Sequence, residues 1–441
     1  MPVSAARAAA FDILLRVEEQ DAYASELLHS ERLAKLSPAD RGLTTEIVMG
    51  VLRWRSRLDG AIAGSSSRAL VKLDPQVLVA LRIAAYQLLF LTRVPARAAI
   101  NESVELVKRA RKTSAAPFAN AVLRKLANVE PVARRETLTA ADLSAEFAHP
   151  EWLVQRWVNH FGLARTEAIC RHDQQVPPTS IRLDSDEVAS ELRGEGIELA
   201  PGALLTSART VTGGDVTQTR AYREGRVFIQ DEASQLVAAL VGKGSRLLDC
   251  CAAPGSKTAA IASRNPSAEI VAVELHPHRA ELLRRRVRAA NVQVITADAL
   301  DLPLQGGFDR ILADVPCSGT GTLARNPEIK WRLKPGDLSE LHTKQVAILG
   351  AALKHVAPGG RAVYSTCSLE PEENQAVVDE VLAGDSQFTL LDCRPELERL
   401  RSEGELAVSD LGSLLEGSCL RTIPGVQPCD GFFAAVLERR D

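Results

Sequence analysis

Apolar residues recur at helical spacing along the first third of the chain, from Ala5 to about Val129. Two clear examples are the runs 77–89 and 99–110, in which apolar side chains return every three or four positions. Proline is poorly tolerated inside helices, so prolines are expected to separate these runs. They stand at Pro75, Pro95 and Pro117. The pattern predicts an all-helical N-terminal domain.

The pattern changes between about residues 138 and 235. Residues 138–149 read as a connector that leads to an amphipathic helix over 152–160. Short apolar runs bounded by Gly and Pro then predict three strands around a helix over 186–194. The predicted strands cover residues 177–183, 203–206 and 226–229. This texture indicates a small α+β subdomain.

From Gly244 onward, short apolar runs alternate with helical patterns, which is typical of a parallel sheet covered by helices. The predicted strands are 246–249, 270–273, 292–296, 310–313 and 361–365, with a last strand at 431–437. We therefore predict a multidomain α and α/β protein with boundaries at 1–140, 141–235 and 236–441.

Length and composition agree with this division. The 441 residues suffice for two or three domains, and 46% hydrophobic with 25% charged residues is ordinary for a globular protein. No apolar run approaches the ~20 residues of a membrane helix, and the N-terminus lacks a secretory pattern, so we expect a cytoplasmic protein with no membrane partner. The eight scattered cysteines fit neither a disulfide framework nor a zinc site. We expect free thiols, no metal and a monomer.

The net charge of −3 hides an asymmetry between the two ends of the chain. Residues 1–130 carry 19 Lys and Arg against 13 Asp and Glu, so the helical domain is the basic part. Two basic clusters, 53–57 and 108–112, are either phosphate contacts to a folded RNA or solvated helix faces. Lys330 and Trp331 are candidates for lining the opening through which a target base would enter.

A strand, a tight turn and a helix start follow one another at Arg246–Thr258, a form suited to a nucleotide-like cofactor. Gly255 lets the backbone approach a ligand closely. Acidic residues close three successive strands, and they suit a nucleoside without phosphate: Asp249, Glu274 and Asp298. The turn matches neither the phosphate loop Gly-x-x-x-x-Gly-Lys-Ser/Thr nor Gly-x-Gly-x-x-Gly. The alternatives are a capping turn and a solvated Lys257–Glu274 pair.

Two cysteines lie just beyond predicted strands, Cys317 in Asp-Val-Pro-Cys-Ser-Gly-Thr-Gly and Cys367 in Tyr-Ser-Thr-Cys-Ser. Ligands of open α/β sheets bind outside the carboxyl ends of the strands, so both thiols should face one crevice. A thiolate that adds to C6 of cytosine activates C5 toward methylation, whereas an exocyclic amine needs no thiol. Spacing alone leaves open which thiol is the nucleophile and whether both are buried core residues. Asp314 is a candidate for the cytosine edge or a structural cap.

The stretches Cys-Ala-Ala-Pro-Gly-Ser-Lys-Thr, Asp-Val-Pro-Cys-Ser-Gly-Thr-Gly with Asn-Pro-Glu-Ile-Lys-Trp, and Tyr-Ser-Thr-Cys-Ser-Leu-Glu-Pro-Glu-Glu-Asn resemble the Sun family of RNA cytosine-C5 methyltransferases. The resemblance implies a Rossmann-like domain that uses S-adenosylmethionine, with Cys367 as nucleophile and Cys317 releasing the product. With Asp314, these are the expected catalytic residues. The cofactor-binding residues implied are Cys251, Ala252, Ala253, Pro254, Gly255, Ser256, Lys257, Glu274, Asp298 and Asp314.

Residues 95–108 and 117–124 resemble the NusB-like helical domain fused to bacterial small-subunit members of that family. This fusion implies 16S ribosomal RNA, free or in a small-subunit assembly intermediate, as partner, with cytosine 967 as the expected target. Ser256 and Glu274 depart from the family pattern, in which Gly and Asp are usual. The rival interpretations are a transfer-RNA cytosine methyltransferase of the same family and a non-catalytic RNA-binding assembly factor.

Overall fold

The computed structural model describes residues 3–129, 139–183 and 185–441, which fold into two compact units. The N-terminal unit comprises Met1–Val176 together with Leu323–Arg332, and the C-terminal unit comprises Pro177–Thr322 and Leu333–Asp441. The domain boundaries at residues 140 and 235 remain a prediction.

Within its described residues, the N-terminal unit is helical throughout. Its helices up to residue 176 are α1 (Ala5–Glu19), α2 (Ala24–Leu28), α3 (Glu31–Ala34), α4 (Pro38–Ser65), α5 (Pro75–Phe90), α6 (Ala96–Arg109), α7 (Ala116–Leu126), α8 (Ala140–Phe147), α9 (Glu151–Phe161) and α10 (Leu163–Asp173). One buried apolar cluster, which includes Leu14, Ile47, Leu81 and Leu123, joins α1, α4, α5 and α7. Pro75 begins α5 and Pro95 caps α6, as the spacing predicts.

The connector predicted over 138–149 is wrong for most of its length, because Ala140–Phe147 forms α8. Residue 138 lies outside the described residues. Thr139 caps this helix, its side chain accepting the Asp142 N–H at 3.2 Å. Leu143 and Phe147, four residues apart, bury the apolar side of the helix.

The remaining helices are α11 (Asp186–Gly194), α12 (Arg220–Arg223), α13 (Glu232–Leu240), α14 (Ser256–Arg264), α15 (Pro277–Arg286), α16 (Ile329–Arg332), α17 (Asp337–Leu353), α18 (Gln375–Gly384) and α19 (Arg394–Ser402). Only α16 among them belongs to the N-terminal unit. The α+β part begins with a four-stranded antiparallel sheet in the order β2-β3-β1-β4. Its strands are β1 (Thr179–Leu183), β2 (Glu198–Pro201), β3 (Ala208–Gly213) and β4 (Val227–Ile229).

The strand predicted at 203–206 is wrong. Leu204 and Leu205 are buried in a loop, and their N–H groups donate to the carboxylate of Glu232 at 2.7 and 2.8 Å. The two strands that the pattern missed, β2 and β3, flank this loop. A buried carboxylate therefore satisfies the backbone groups for which a strand partner was expected.

A second sheet forms the centre of the C-terminal unit. Its strands are β5 (Arg246–Asp249), β6 (Glu269–Glu274), β7 (Val292–Thr296), β8 (Phe308–Asp314), β9 (Val356–Thr366), β10 (Phe388–Leu391), β11 (Leu415–Glu416), β12 (Cys419–Thr422) and β13 (Phe432–Arg439). The five strands β9-β8-β5-β6-β7 are parallel, which confirms the predicted parallel sheet. The last strand, β13, pairs antiparallel to β9, and the unpredicted β10, β11 and β12 extend the sheet beyond it.

Candidate active site

The carboxyl ends of the five parallel strands carry the candidate residues in spatial order. Cys367 follows β9 directly, Asp314 ends β8, Asp249 ends β5 and Glu274 ends β6, while Asp298 comes two residues after β7. Because parallel strands end at one edge of the sheet, a single edge presents two candidate catalytic residues and three further acids.

The sulfur atoms of Cys317 and Cys367 lie 3.3 Å apart. The strands before them are neighbours, with Asp314 of β8 in register with Ser365 of β9, so the two chains leave the sheet side by side. Both thiols are only partly buried. The sequence expectation of one shared crevice thus corresponds to direct contact between the thiols.

A buried carboxylate, that of Glu373, joins the residues that follow the two cysteines. It accepts the backbone N–H of Ser318 at 2.7 Å and the hydroxyl groups of Ser318 and Ser368. The Gln345 side chain donates to the same carboxylate at 2.9 Å and to the carbonyl of Pro316 at 3.0 Å. The Glu373 side chain therefore holds together the two loops that carry the cysteines, and with them the two sulfur atoms.

Gly321 allows the loop after Cys317 to pack directly against the backbone of two other segments. Its N–H donates to the Cys367 carbonyl at 2.9 Å. A Cβ at this position would lie 2.2 Å from the carbonyl oxygen of Gly431. The glycine in this loop is thus required by a backbone contact, with no room for a side chain.

Asp314 is held by two partners at the end of β8. One carboxylate oxygen accepts the Ser365 hydroxyl at 2.7 Å and the other forms an ion pair with the Lys257 ammonium group at 2.8 Å. Burial lowers the pKa of Lys257, but the attraction of Asp314, with a contribution from Cys367, outweighs it and raises this pKa overall. Lys257 therefore stays a cation beside Asp314 and near Cys367.

The pKa of the Cys317 thiol is raised well above its usual value, first by the hydrogen bond with Cys367 and then by burial. Burial also raises the pKa of Cys251, in the turn after β5. At neutral pH, Cys317 is therefore a protonated thiol that can donate its hydrogen to the Cys367 sulfur.

The turn between β5 and α14 is shaped by Gly255, which has a φ of +106°. A Cβ there would lie 2.7 Å from both Leu283 and Val287, so only glycine fits. Within the turn, Cys251, Ala253 and Ser256 are partly buried, Ala252 is buried and Pro254 is exposed. Helix α14 begins directly after this turn without a side-chain cap, and the first N–H groups of a helix are able to bind a ligand.

Asp249 is 1% exposed, and one of its carboxylate oxygens accepts the Thr258 hydroxyl at 2.7 Å. The other oxygen has no hydrogen-bond partner among the described residues. Burial raises the pKa of this carboxyl group to about 7, against the hydrogen bond from Thr258. A buried, unpartnered oxygen at the edge of the sheet suits a donor group on a ligand.

The other two acids differ in their surroundings. Glu274 is buried and accepts the His276 N–H at 2.9 Å, with Arg279 at 3.8 Å, so the proposed Lys257–Glu274 pair does not form. Asp298 is exposed and accepts the N–H of Leu300 at 2.9 Å. No group of three or more His, Cys, Asp or Glu within the described ranges is placed to hold a metal ion.

Two sequence interpretations fail in the N-terminal unit. Lys330 is 1% exposed and donates to the Arg53 carbonyl at 3.0 Å, so it does not line an opening. The indole of Trp331 donates to the carbonyl of Leu52 at 2.6 Å. Arg53 itself is buried and donates to the Ala324 carbonyl at 2.8 Å, which removes it from the predicted phosphate contacts.

Sequence reasoning missed Glu373 and Gln345 as site residues. Glu373 stood within the Tyr-Ser-Thr-Cys-Ser-Leu-Glu-Pro-Glu-Glu-Asn stretch, which was the available signal, but a surface-like Glu-Glu pair does not indicate a buried acceptor. Gln345, in the middle of α17, had no motif around it.

Comparison with known proteins gives three family matches that together cover most of the chain. The family described as 16S rRNA methyltransferase RsmB/F matches residues 239–438, the NusB family matches residues 4–128, and the ferredoxin-like domain of RsmF/B-like methyltransferases matches residues 149–215. These matches confirm the predicted NusB-like, α+β and methyltransferase parts. No helix in the described ranges is both long and apolar enough to span a membrane.

Curated relatives and solved structures agree with these family matches. The probable ribosomal RNA small subunit methyltransferase B of Bacillus subtilis is 32% identical over 100% of both chains, and the Vibrio cholerae small subunit methyltransferase B is 31% identical over 98% of this chain and 97% of its own. The crystal structure of PH0851 shares the fold over 100% of both chains, with a TM-score of 0.82 at 24% identity. A methyltransferase homolog from Pyrococcus horikoshii covers 68% of this chain and 98% of its own, with a TM-score of 0.56 at 25% identity.

Proposed function

The chain belongs to the 16S rRNA methyltransferase RsmB/F family, and from this premise we propose that it methylates C5 of a cytosine in 16S ribosomal RNA, using S-adenosylmethionine. The observation that carries the proposal is the pair of thiols 3.3 Å apart at the edge of the parallel sheet. Methylation at a ring carbon needs a covalent nucleophile, and methylation at an exocyclic amine does not.

The residues at the sheet edge fit S-adenosylmethionine. The positive φ of Gly255 shapes the turn at this edge, and the buried Asp249 has a carboxylate oxygen without a hydrogen-bond partner among the described residues. We assign the turn from Cys251 to Lys257, with Glu274, Asp298 and Asp314, to the cofactor. Acidic groups suit its cationic character better than they would a phosphate. When bound, this cofactor supplies an electrophilic methyl group.

Cys367 is proposed to add as a thiolate to C6 of the cytosine, and the displaced electron pair makes C5 nucleophilic. The pKa of Lys257 is raised in part by the charge of Cys367, so a cation lies close to the proposed nucleophile. Asp314, held by Ser365 and Lys257, comes three residues before Cys317 and is proposed to face the cytosine edge.

Cys317 is proposed to complete the cycle. Its high pKa depends first on the hydrogen bond with Cys367, and bonding of Cys367 to C6 removes that contribution, so the Cys317 thiol can release its proton to solvent. As a thiolate it can accept the C5 proton, after which the electron pair of the C5–H bond restores the ring double bond and Cys367 leaves as a thiolate. This gives Cys317 the role of releasing the product.

Two substitutions test this assignment. Cys367→Ala should abolish transfer of a tritiated methyl group to 16S RNA, whereas Cys317→Ala should leave an RNA–protein adduct that survives a denaturing gel. Cys393→Ala, which removes a buried thiol from the core, is the matched control and should retain activity. Normal methylation by Cys367→Ala would show that the wrong nucleophile was assigned.

The RNA substrate is tested separately. Bisulfite sequencing of a deletion strain should show a lost 5-methylcytosine in 16S RNA, with position 967 as the expected one. A loss confined to transfer RNA would favour the related transfer-RNA enzyme. A wild-type protein that transfers no methyl group to either RNA would support the non-catalytic assembly factor.

A further inference from the structure

A pocket of about 230 Å³ lies beside the cofactor turn, entirely within the C-terminal unit. Its walls come from three segments that are distant in sequence: residues 222–229, the turn residues Pro254 and Ser256, and the end of α15 at Arg285 and Arg286. The first segment includes β4, which is an edge strand of the four-stranded sheet. Pro254 and Ser256 belong to the turn assigned to the cofactor, whereas the rest of the lining has no role in the mechanism above.

The charge of the pocket is wholly positive. Three arginines line it, Arg223, Arg285 and Arg286, and none of its lining residues is acidic. The guanidinium group of Arg286 makes no hydrogen bond or ion pair with the described residues, and Arg223 makes only a 3.3 Å bond from Nε to the Thr219 carbonyl. Arg285 is paired with Glu281 at 3.0 Å. Two arginines thus retain donors for an anion.

Part of the pocket lining, here called its floor, is apolar. Ile229 is 39% exposed and Pro254 is exposed, so the pocket presents apolar surface to solvent. Phe228 is held in place by the Arg182 guanidinium group, 4.7 Å from its ring centroid. Apolar surface next to unpaired guanidinium groups is the combination that binds a nucleotide, since the base or ribose covers the floor while the phosphate meets the arginines.

We propose that this pocket binds one nucleotide of the RNA strand that flanks the target cytosine, with its phosphate on Arg223 and Arg286. The assignment rests on the proposed function. S-adenosylmethionine is a poor occupant, because it has no phosphate and its sulfonium group would be repelled by three arginines. The site would position the RNA through its backbone and not read its sequence.

The test uses the full-length double variant Arg223→Gln with Arg286→Gln. Its matched control is Arg284→Gln, on the same helix, whose guanidinium group reaches the Val294 carbonyl at 3.4 Å and does not line the pocket. RNA affinity is measured by fluorescence anisotropy with a 16S fragment at several salt concentrations. Cofactor affinity is measured by calorimetry without RNA.

The double variant should bind the RNA fragment about tenfold more weakly, and its log–log salt slope should be shallower by roughly 0.7 per lost phosphate contact. Charge reversal by Arg286→Glu should weaken binding further. Cofactor affinity and the rate at saturating RNA should stay unchanged in all variants. Binding of inorganic phosphate is measured as well, because a site that binds only free anions would bind phosphate without affecting RNA affinity.

Three results would overturn the proposal. They are unchanged RNA affinity in the double variant, an equal loss of cofactor affinity, and phosphate binding at the arginines without any change in RNA binding. Failure of the wild-type protein to methylate RNA would instead count against the proposed function, and the RNA-binding comparison would still decide the role of the pocket.

Discussion

Removal of the Glu373 carboxylate tests whether this group holds the two cysteine loops together. In Glu373→Ala the Ser318 N–H and one N–H of Gln345 lose their acceptor, while the hydroxyl groups of Ser318 and Ser368 can rotate toward each other, as they already lie 3.0 Å apart. Each unsatisfied buried donor costs about 1–3 kcal/mol, so the free energy of unfolding should fall by about 2–6 kcal/mol. Methyl transfer should fall as well, because the distance between the sulfurs is no longer fixed.

Hydrogen exchange at the Ser318 amide measures this effect locally. We expect fast exchange in Glu373→Ala, partial protection in Glu373→Gln, which keeps one acceptor oxygen, and wild-type protection in Glu372→Ala. The last variant removes the same charge one residue away and is the matched control. The reasoning is refuted if Glu373→Ala keeps the Ser318 amide protected and unfolds within about 0.5 kcal/mol of that control.

Three further predictions concern backbone strain and buried charge. Gly255→Ala should destabilise the C-terminal unit by about 1–3 kcal/mol and weaken cofactor binding, whereas Gly336→Ala, with open space at its Cβ, should not; calorimetry measures both. The pKa of Asp249 is raised to about 7 in the folded protein, so between pH 4 and 7 the folded state keeps a proton that the unfolded state has lost. The free energy of unfolding should therefore fall by on the order of 4 kcal/mol as the pH rises from 4 to 7. In urea titrations at several pH values, Asp249→Asn should abolish this fall, whereas the control Asp301→Asn should retain it. The pKa of Lys330 is lowered to about 7, so between pH 7 and 10 the unfolded state keeps a proton that the folded state has lost. The free energy of unfolding should therefore rise as the pH rises from 7 to 10. Lys330→Met should flatten this rise, whereas the control Lys35→Met should not. Tryptophan fluorescence measures unfolding of the N-terminal unit selectively, since all four tryptophans lie in that unit.

The sequence predicted elements well where a local pattern alone determines them. The helix Asp186–Gly194 and the strands Arg246–Asp249 and Val292–Thr296 have the predicted bounds, because periodicity and flanking turn residues define them. The run 203–206 has the same apolar pattern and forms no strand, since Glu232, almost thirty residues later, takes its N–H groups. Local pattern cannot reveal an acceptor supplied by another segment.

The same limit applies to the candidate site. That both thiols share a crevice follows from the carboxyl-end rule for parallel sheets, which needs only strand order. The buried acceptor Glu373 and its donor Gln345 could not be predicted, because their role depends on α17 and the Cys367 loop meeting in space. Sequence reasoning therefore identified the groups proposed to react and missed those that hold them.

The segment Asn326–Trp331 illustrates why a motif near a reacting residue need not take part in the reaction. It lies a few residues beyond Cys317 in the chain, yet its contacts belong to the N-terminal unit. Glu328 accepts the Ala24 N–H at 2.8 Å, and Lys330 donates to a main-chain carbonyl in a fully buried position. Burying these charges is unfavourable, as the lowered pKa of Lys330 indicates, so they are retained for the specific backbone groups that they satisfy. Charged residues in this stretch therefore fix the path of the chain within the helical unit, and the chemistry is proposed to rest with Cys317, Cys367 and the groups that contact them.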